Sequence, residues 1–415
     1  MKTPHSDRKS KVDKKNEIRR ILILRALLDN GPLSLTDLAK MTGMTLPVAS
    51  NIVAHLRKKK QVVQSKEKSA TQAGRPPSIV KLNGEAGFIL GIDIGRLFTN
   101  FIILDLETNI VGDTRRKSIT LSNDIKLIED LEREIKVVLS EAKVSWSKLL
   151  GIGISLPGIV KVKGKEGLGE TYFNFGDASA REILSKRFNK PVHIEHDLEA
   201  MAFGERWFGA AKEVDNALCV NIGWGLGLGI IIDGEVYYGE NGYAGEFGHI
   251  QVVQDGELCY CGKKGCLETV ASGRAITQIA RDRIAKEATT IMTKDQHLRI
   301  DQIDAEAVLR AASLGDQFSI EILEEAGRHL GAGIGILINL LNPALIILGG
   351  GVSMASPFLL ESVRAGAMKH SLVNSNRDVK FTISSLGNKA GALGVAVYLA
   401  EDLFDVERLN PSAYV

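Results

Sequence analysis

The chain has 415 residues, 44% of them hydrophobic and 25% charged, with 42 glycines and 10 prolines. Those proportions suit soluble globular domains and exclude a disordered chain, a collagen-like repeat and a small disulfide scaffold. The net charge of +2 conceals two parts of opposite sign: residues 1–82 carry 18 basic and 6 acidic side chains, the remainder 34 basic and 44 acidic.

A basic module ahead of an acidic body points to a polyanionic partner, nucleic acid first. From Met1 to Arg20 the chain is polar and basic, so a secretory leader is not expected and the chain reads as cytoplasmic. Ile18, Ile21, Leu22, Leu24 and Leu28 give an apolar helical face, ended by Asn30-Gly31-Pro32. Ser34 is the expected N-cap of a short helix over Leu35 to Met41. Ala39 suits a close helix approach, and Gly43 allows the left-handed turn that follows. Thr45 then caps a second helix with Pro47 in its first turn; Val48, Ile52 and Leu56 recur every four residues, and Arg57-Lys58-Lys59-Lys60 follows. Gln61 to Gln64 and Ser78 to Leu82 read as the two strands of a wing, with Gly74-Arg75-Pro76-Pro77 between them.

That order is a winged helix-turn-helix, whose second helix meets base edges while basic side chains hold phosphates. Thr45, Pro47, Val48, Ser50 and Asn51 are the expected base-facing residues, Asn51 through a bidentate contact to adenine. Arg57, Lys58 and Lys59 are expected on phosphates, and Arg75 in a minor groove.

From Phe88 strands and helices alternate. Phe88 to Ile94 and Phe101 to Leu104 form a hairpin, Ile125 to Leu139 a helix, and Leu149 to Ser155 a strand. Leu218 to Gly223, Leu228 to Ile232 and Val236 to Tyr238 repeat the theme of strand, glycine turn and returning strand. A duplicated α/β lobe with a cleft between the copies is therefore expected. Leu345 to Leu348 runs into a third glycine turn, and such turns let backbone N–H groups close on a phosphate. The uncharged stretch Leu330 to Leu360 reads as a buried helix, a turn at Asn342-Pro343 and a buried strand rather than a membrane span.

Three of the 4 cysteines, Cys259, Cys261 and Cys266, lie close together with His249 just upstream. Three thiolates and an imidazole complete a tetrahedral Zn²⁺ site with no open position, and a reducing cytoplasm disfavours a disulfide. Cys219, in a strand, reads as a core residue. Glu246 and Glu268 flank the cluster beside glycines and read either as acceptors of hydrogen bonds from hydroxyls, as in sugar recognition, or as solvated surface carboxylates, the commoner fate of Glu.

The run Ala244-Gly245-Glu246-Phe247-Gly248-His249 and the run Cys259 to Glu268 together resemble the signature of the ROK family of repressors and sugar kinases. The helix-turn-helix and the Gly74-Arg75-Pro76 wing resemble its sugar-responsive repressor branch, so the similarity covers nearly the whole chain. It implies an α/β fold: a winged helix-turn-helix over 1–82, then an actin-like (ribonuclease H-like) two-lobed sugar kinase fold over 83–415 with a zinc knuckle. The lobes would lie at roughly 83–195 and 196–415, with a monosaccharide in the cleft.

Carried over by position, the resemblance makes His249, Cys259, Cys261 and Cys266 the zinc ligands and Asn174, Asp197, Glu246, His249 and Glu268 the sugar contacts. Asp197 falls where the kinases keep the base for the sugar hydroxyl. The departures concern phosphate: Arg96-Leu97-Phe98 follows Asp93-Ile94-Gly95 where kinases have Gly-Thr, and Gly223-Trp224-Gly225 replaces Gly-Thr-Gly. His196 and Glu199 likewise stand where kinases usually have Asn. The resemblance thus implies a repressor that binds operator DNA and a monosaccharide effector, as a homodimer or homotetramer, with Asp197 a vestigial base. The alternative is an ATP-dependent sugar kinase with an added DNA module.

Overall fold

The computed structural model describes residues 11–65, 79–96, 98–119, 122, 125–157, 180–294, 297–352 and 357–405. Asn174 and Arg75 lie outside the described residues.

The N-terminal module contains α1 (Lys11–Asn30), β1 (Leu33–Ser34), α2 (Leu35–Met41), α3 (Leu46–Lys58), β2 (Val62–Gln64) and β3 (Ile79–Leu82). Ser34 caps α2 by accepting the Asp37 N–H at 3.1 Å. Gly43 takes the left-handed conformation at φ 64°, which a Cβ would strain. Thr45 is the N-cap of α3 with extended backbone, though its hydroxyl makes no capping bond. β3 is the centre of the wing sheet, antiparallel to both β1 and β2. Helix α1 buries Ile23, Leu24, Leu27 and Leu28, whereas Ile18, Ile21 and Leu22 of the expected face are only half-buried. The buried stripe is rotated because α1 packs on two partners at once, its own module and the body.

The first lobe has β4 (Phe88–Ile94), β5 (Thr99–Asp105), β6 (Arg115–Lys117), α4 (Ile125–Glu141), β7 (Leu149–Leu156), α5 (Ala180–Phe188) and β8 (Val192–His196). Helix α6 (Asp197–Phe208) leads to the second sheet, with β9 (Ala217–Ile222), β10 (Leu226–Ile232) and β11 (Glu235–Val236). Then come α7 (Glu268–Ala271), α8 (Gly273–Ala285), α9 (Ile291–Lys294), α10 (Ala305–Ser313), α11 (Gln317–Leu341) and β12 (Leu345–Gly349). The chain closes with α12 (Pro357–His370), α13 (Val373–Asn376), β13 (Lys380–Ile383) and α14 (Ala390–Leu403).

The two sheets share one plan. The first runs β6-β5-β4-β7-β8 and the second β11-β10-β9-β12-β13. In each, two antiparallel pairings are followed by two parallel ones, as expected of a duplicated lobe. The uncharged stretch after Leu330 is helix, left-handed turn at Asn342 and buried strand β12, and no helix among the described residues is long and apolar enough to cross a membrane.

One departure concerns the split at 196. Helix α14 packs on the first sheet and against α6, so the second lobe is not the continuous stretch 196–415. The α6–α14 crossing is tight because glycines face backbone: a Cβ on Gly204 would come within 2.2 Å of the Ala390 carbonyl oxygen. Apolar packing also joins the module to this lobe. One core contains Ile23, Leu27, Leu38, Leu56 and Leu82 together with Ile89, Ile102 and Leu104 of the first sheet and Leu393 and Leu399 of α14.

Candidate functional site

The C-terminal ends of parallel strands are where α/β sheets present ligand-binding groups. In the first lobe a polar row crosses the sheet there, with Arg116, Asn100, Asp93, Ser155 and Glu195 in register on adjacent strands and therefore on one face. Ser155 Oγ donates to Asp93 Oδ1 at 2.6 Å and Asn100 Nδ2 to Oδ2 at 3.3 Å. Burial and then the nearby Asp197 push the Asp93 carboxyl up to about 6, against the pull of those two hydrogen bonds. Glu195, fully buried, accepts from the Tyr238 hydroxyl at 3.2 Å and the His196 N–H at 3.0 Å.

Strand β8 ends at His196 and α6 begins with Asp197. His196 lies between two carboxylates, with Nδ1 2.5 Å from Glu199 Oε2 and Nε2 3.3 Å from Asp197 Oδ1. Burial would discharge the ring, but Asp197, Glu199 and Glu246 outweigh it and hold its pKa at about 9.

The second lobe supplies the facing wall. Gly245, at φ 88°, lies so close to the Leu228 carbonyl that a Cβ would sit 2.0 Å from its oxygen. This tight turn sets Glu246 and the one-turn helix Phe247–His249 against β10. Glu268 is 3% exposed rather than solvated; its Oε2 accepts the Leu226 N–H at 3.2 Å and its Oε1 lies 3.6 Å from Arg274. Tyr260 links these groups, its hydroxyl 3.2 Å from His249 Nε2 and its ring within the fields of both Glu268 and Glu246. The structure thus gathers Asp197, Glu246, His249 and Glu268 around one cleft; Asn174 lies outside the described residues.

His249, Cys259, Cys261 and Cys266 offer ligand atoms that all lie within 4.8 Å of one another. Cys259 Sγ is 3.7 Å from His249 Nδ1, and Cys261 Sγ 3.6 Å from Cys266 Sγ. A tetrahedron with metal–sulfur bonds of about 2.3 Å has edges near 3.8 Å, so the set fits a metal ion, and all four cysteines of the chain are free. Buried Cys219 lies apart in β9. His249 presents Nδ1 to the sulfurs and Nε2 to Glu246 and Tyr260. One ring thereby serves the metal set and the cleft at once.

The two glycine turns close on themselves: the Gly95 N–H bonds to the Phe98 carbonyl at 2.9 Å and the Gly223 N–H to the Gly225 carbonyl at 3.1 Å. The Arg96 guanidinium lies 5.2 Å from the Trp224 ring centroid, so the two turns face each other through these side chains.

On the DNA module, Thr45, Pro47, Ser50 and Asn51 are exposed along the start of α3. Val48 is half-buried against the core, which makes it a support for that face. Arg57, Lys58 and Lys59 are exposed at the helix end. Sequence reasoning missed Asn100, Ser155, Tyr260 and Arg274, which become neighbours of the site only through strand register and the metal-binding loop. It also missed Glu401 on α14, which meets Arg25 of α1 at 3.3 Å and Arg206 of α6 at 3.5 Å.

A model of the ROK family matches residues 89–402, and one of winged helix-turn-helix DNA-binding domains matches residues 17–62. The chain is 30% identical over 391 residues to the xylose repressor of Bacillus subtilis, covering 94% of this chain and 97% of that protein. Among solved structures it resembles a ROK family transcriptional regulator homologous to the E. coli MLC protein, at 28% identity and a TM-score of 0.78, over 96% of this chain and 99% of the other. A ROK family glucokinase from Streptomyces griseus, in complex with glucose and AMPPNP, matches at 31% identity and a TM-score of 0.64, over 75% of this chain and 99% of that one.

Proposed function

Because the chain belongs to the ROK family and carries a winged helix-turn-helix ahead of it, we propose that it is a sugar-responsive transcriptional repressor, holding operator DNA through α3 and releasing it when a monosaccharide fills the cleft. The observation that carries this reading is the shared core: Leu38, Leu56 and Leu82 of the DNA module pack in one cluster with Ile89 and Ile102 of the first lobe and Leu393 of α14. A lobe that moves on sugar binding therefore carries the recognition helix with it. Release requires the sugar to bind the DNA-free arrangement more tightly, and DNA must weaken sugar binding by the same factor. A dimer or tetramer would set two modules on half-sites and make their spacing sensitive to that motion.

We assign Asn174, Asp197, Glu246, His249 and Glu268 to the sugar hydroxyls, Thr45, Pro47, Ser50 and Asn51 to base edges, and Arg57, Lys58, Lys59 and Arg75 to the DNA backbone and minor groove. We take the DNA module as 1–82. Zinc suits the three cysteines and His249; bound there, it supplies a closed structural tie. His249 Nε2 is then left to meet a hydroxyl. The similarity to a xylose repressor makes xylose the first effector to test.

Fluorescence anisotropy of the full chain on labelled duplexes from its own upstream region tests the proposal. Binding that xylose or another aldose reverses supports it. No binding to any duplex at low salt, where phosphate contacts are strongest, would sink it.

A kinase reading draws on the likeness to a glucokinase. It needs an Asp197 free to take a proton and glycine turns whose N–H groups meet a phosphate, whereas His196 lies 3.3 Å from Asp197 and the Gly95 and Gly223 N–H groups bond within their own turns. Sugar-dependent ADP release that Asp197→Asn abolishes would establish it instead.

A further inference from the structure

Tyr260 stands between two members of the metal set, Cys259 and Cys261, and is 71% exposed. A tight loop fixes its backbone: the Cys259 N–H bonds to the Lys263 carbonyl at 2.8 Å and the Gly262 N–H to the Cys259 carbonyl at 3.0 Å. Its side chain is held at two points. The hydroxyl oxygen lies 3.2 Å from His249 Nε2, with the imidazole at 83° to the phenol ring. The Arg274 guanidinium lies 5.7 Å from the ring centroid, and Arg274 is itself 3.6 Å from Glu268 Oε1. Burial contributes little to holding so exposed a ring, so these two contacts set its position.

Both contacts run to residues assigned above to the sugar. His249 turns Nδ1 to the cysteines, which leaves Nε2, and a ring nitrogen offers a single hydrogen-bond position. Glu246 Oε2 is 3.7 Å from that nitrogen, too far for a hydrogen bond, so the phenol is the group that occupies it. A sugar hydroxyl on Nε2 therefore takes the place of the Tyr260 oxygen. A second hydroxyl on Glu268 competes with Arg274 for Oε1, since Oε2 already accepts the Leu226 N–H.

We propose that Tyr260 is a gate on the sugar site: its hydroxyl stands in for a sugar hydroxyl on His249, and the effector displaces it on binding. The inference rests on the reading that gives His249 and Glu268 to the sugar. The gate lowers affinity, because the sugar gains only the difference between its own hydrogen bond and that of the phenol. It also sets specificity: a ligand that engages His249 alone leaves Arg274 against the ring, whereas one that engages His249 and Glu268 together loosens both holds.

Calorimetric titration of the full chain, native and Tyr260→Phe, tests this with xylose, glucose, mannose and their phosphates. Phenylalanine keeps the ring beside Arg274 and gives up only the oxygen. The ligand that binds the native chain should bind the variant about two- to tenfold more tightly, the scale of one net hydrogen bond. The concentration that releases half of the DNA should fall by the same factor, while DNA affinity without sugar stays the same. Arg274→Met reaches the same ring from outside the metal loop and should also tighten sugar binding.

Unchanged affinity in Tyr260→Phe would overturn the gate, and weaker binding would make the phenol a direct sugar contact instead. A change of equal size in sugar-free DNA affinity would also overturn it, placing the effect in the balance of the lobes rather than at His249. Failure of every sugar and sugar phosphate to bind the native chain or either variant would sink the sensor reading itself, and the gate with it.

Discussion

Arg25, in the first helix of the DNA module, and Glu401, near the end of the last helix, form an ion pair at 3.3 Å that joins the two ends of the described chain. Glu401 also accepts from the Trp207 indole N–H at 2.9 Å and lies 3.5 Å from Arg206. Both of those residues belong to α6, whose first residue is Asp197 of the cleft. One helix thus runs from the cleft to the junction with the DNA module, where three helices share one carboxylate.

Replacing Glu401 by Ala should therefore do more than lower stability. It leaves Arg25, Arg206 and the indole N–H short of a partner in a place where Glu401 is only 15% exposed. A cost of about 1–3 kcal/mol follows. Melting curves check that figure, and anisotropy titrations with and without effector check the coupling. Sugar should then displace less DNA from the variant, whereas an unchanged displacement would assign Glu401 to stability alone.

Metal removal should unfold the cleft wall before the rest. A chelator, or Cys266→Ser, should lower the melting temperature and weaken sugar binding together, because His249 is held by the metal set and faces the cleft with its other nitrogen. DNA binding at low salt should survive, since α3 lies in another core cluster. Metal analysis of the purified chain, with a sugar titration before and after chelation, decides the matter.

His196 predicts a loss of stability at alkaline pH. Its pKa is raised from the ordinary 6.5 to about 9. Its contribution is then fully present below about pH 6.5 and disappears as pH rises through 9. The gap in melting temperature between the native chain and His196→Asn should narrow from pH 7 to pH 10. A constant gap would mean that the ring is neutral between its two carboxylates.

On DNA, Asn51→Ala and Lys58→Ala should fail differently. The first should cost about 1–3 kcal/mol on the best sequence and little on others, as loss of a base contact does. The second should weaken all sequences alike and flatten the salt dependence. Competition assays with mutated operators at two salt concentrations separate these outcomes.

Local patterns in the sequence determined much of this. Period-four apolar repeats, the Ser34 cap and the Gly43 turn specify the helix-turn-helix, because caps and left-handed turns depend on residues close in the chain. The clustered cysteines and His249 point to a metal set for the same reason. Strand alternation gave the duplicated lobe, whose identical strand orders the structure then displayed.

Other features depend on long-range packing, which leaves no mark at fixed spacing. The polar row Arg116–Asn100–Asp93–Ser155–Glu195 exists only once five strands are in register. The last helix returns to the first lobe because glycine and alanine surfaces on α6 and α14 let the two helices meet almost backbone to backbone. That return brings Glu401 to Arg25, 376 residues away in the chain. The types of residue that cluster around the cysteines were legible in the sequence; how the cleft is mechanically joined to the DNA module was decided by tertiary packing alone.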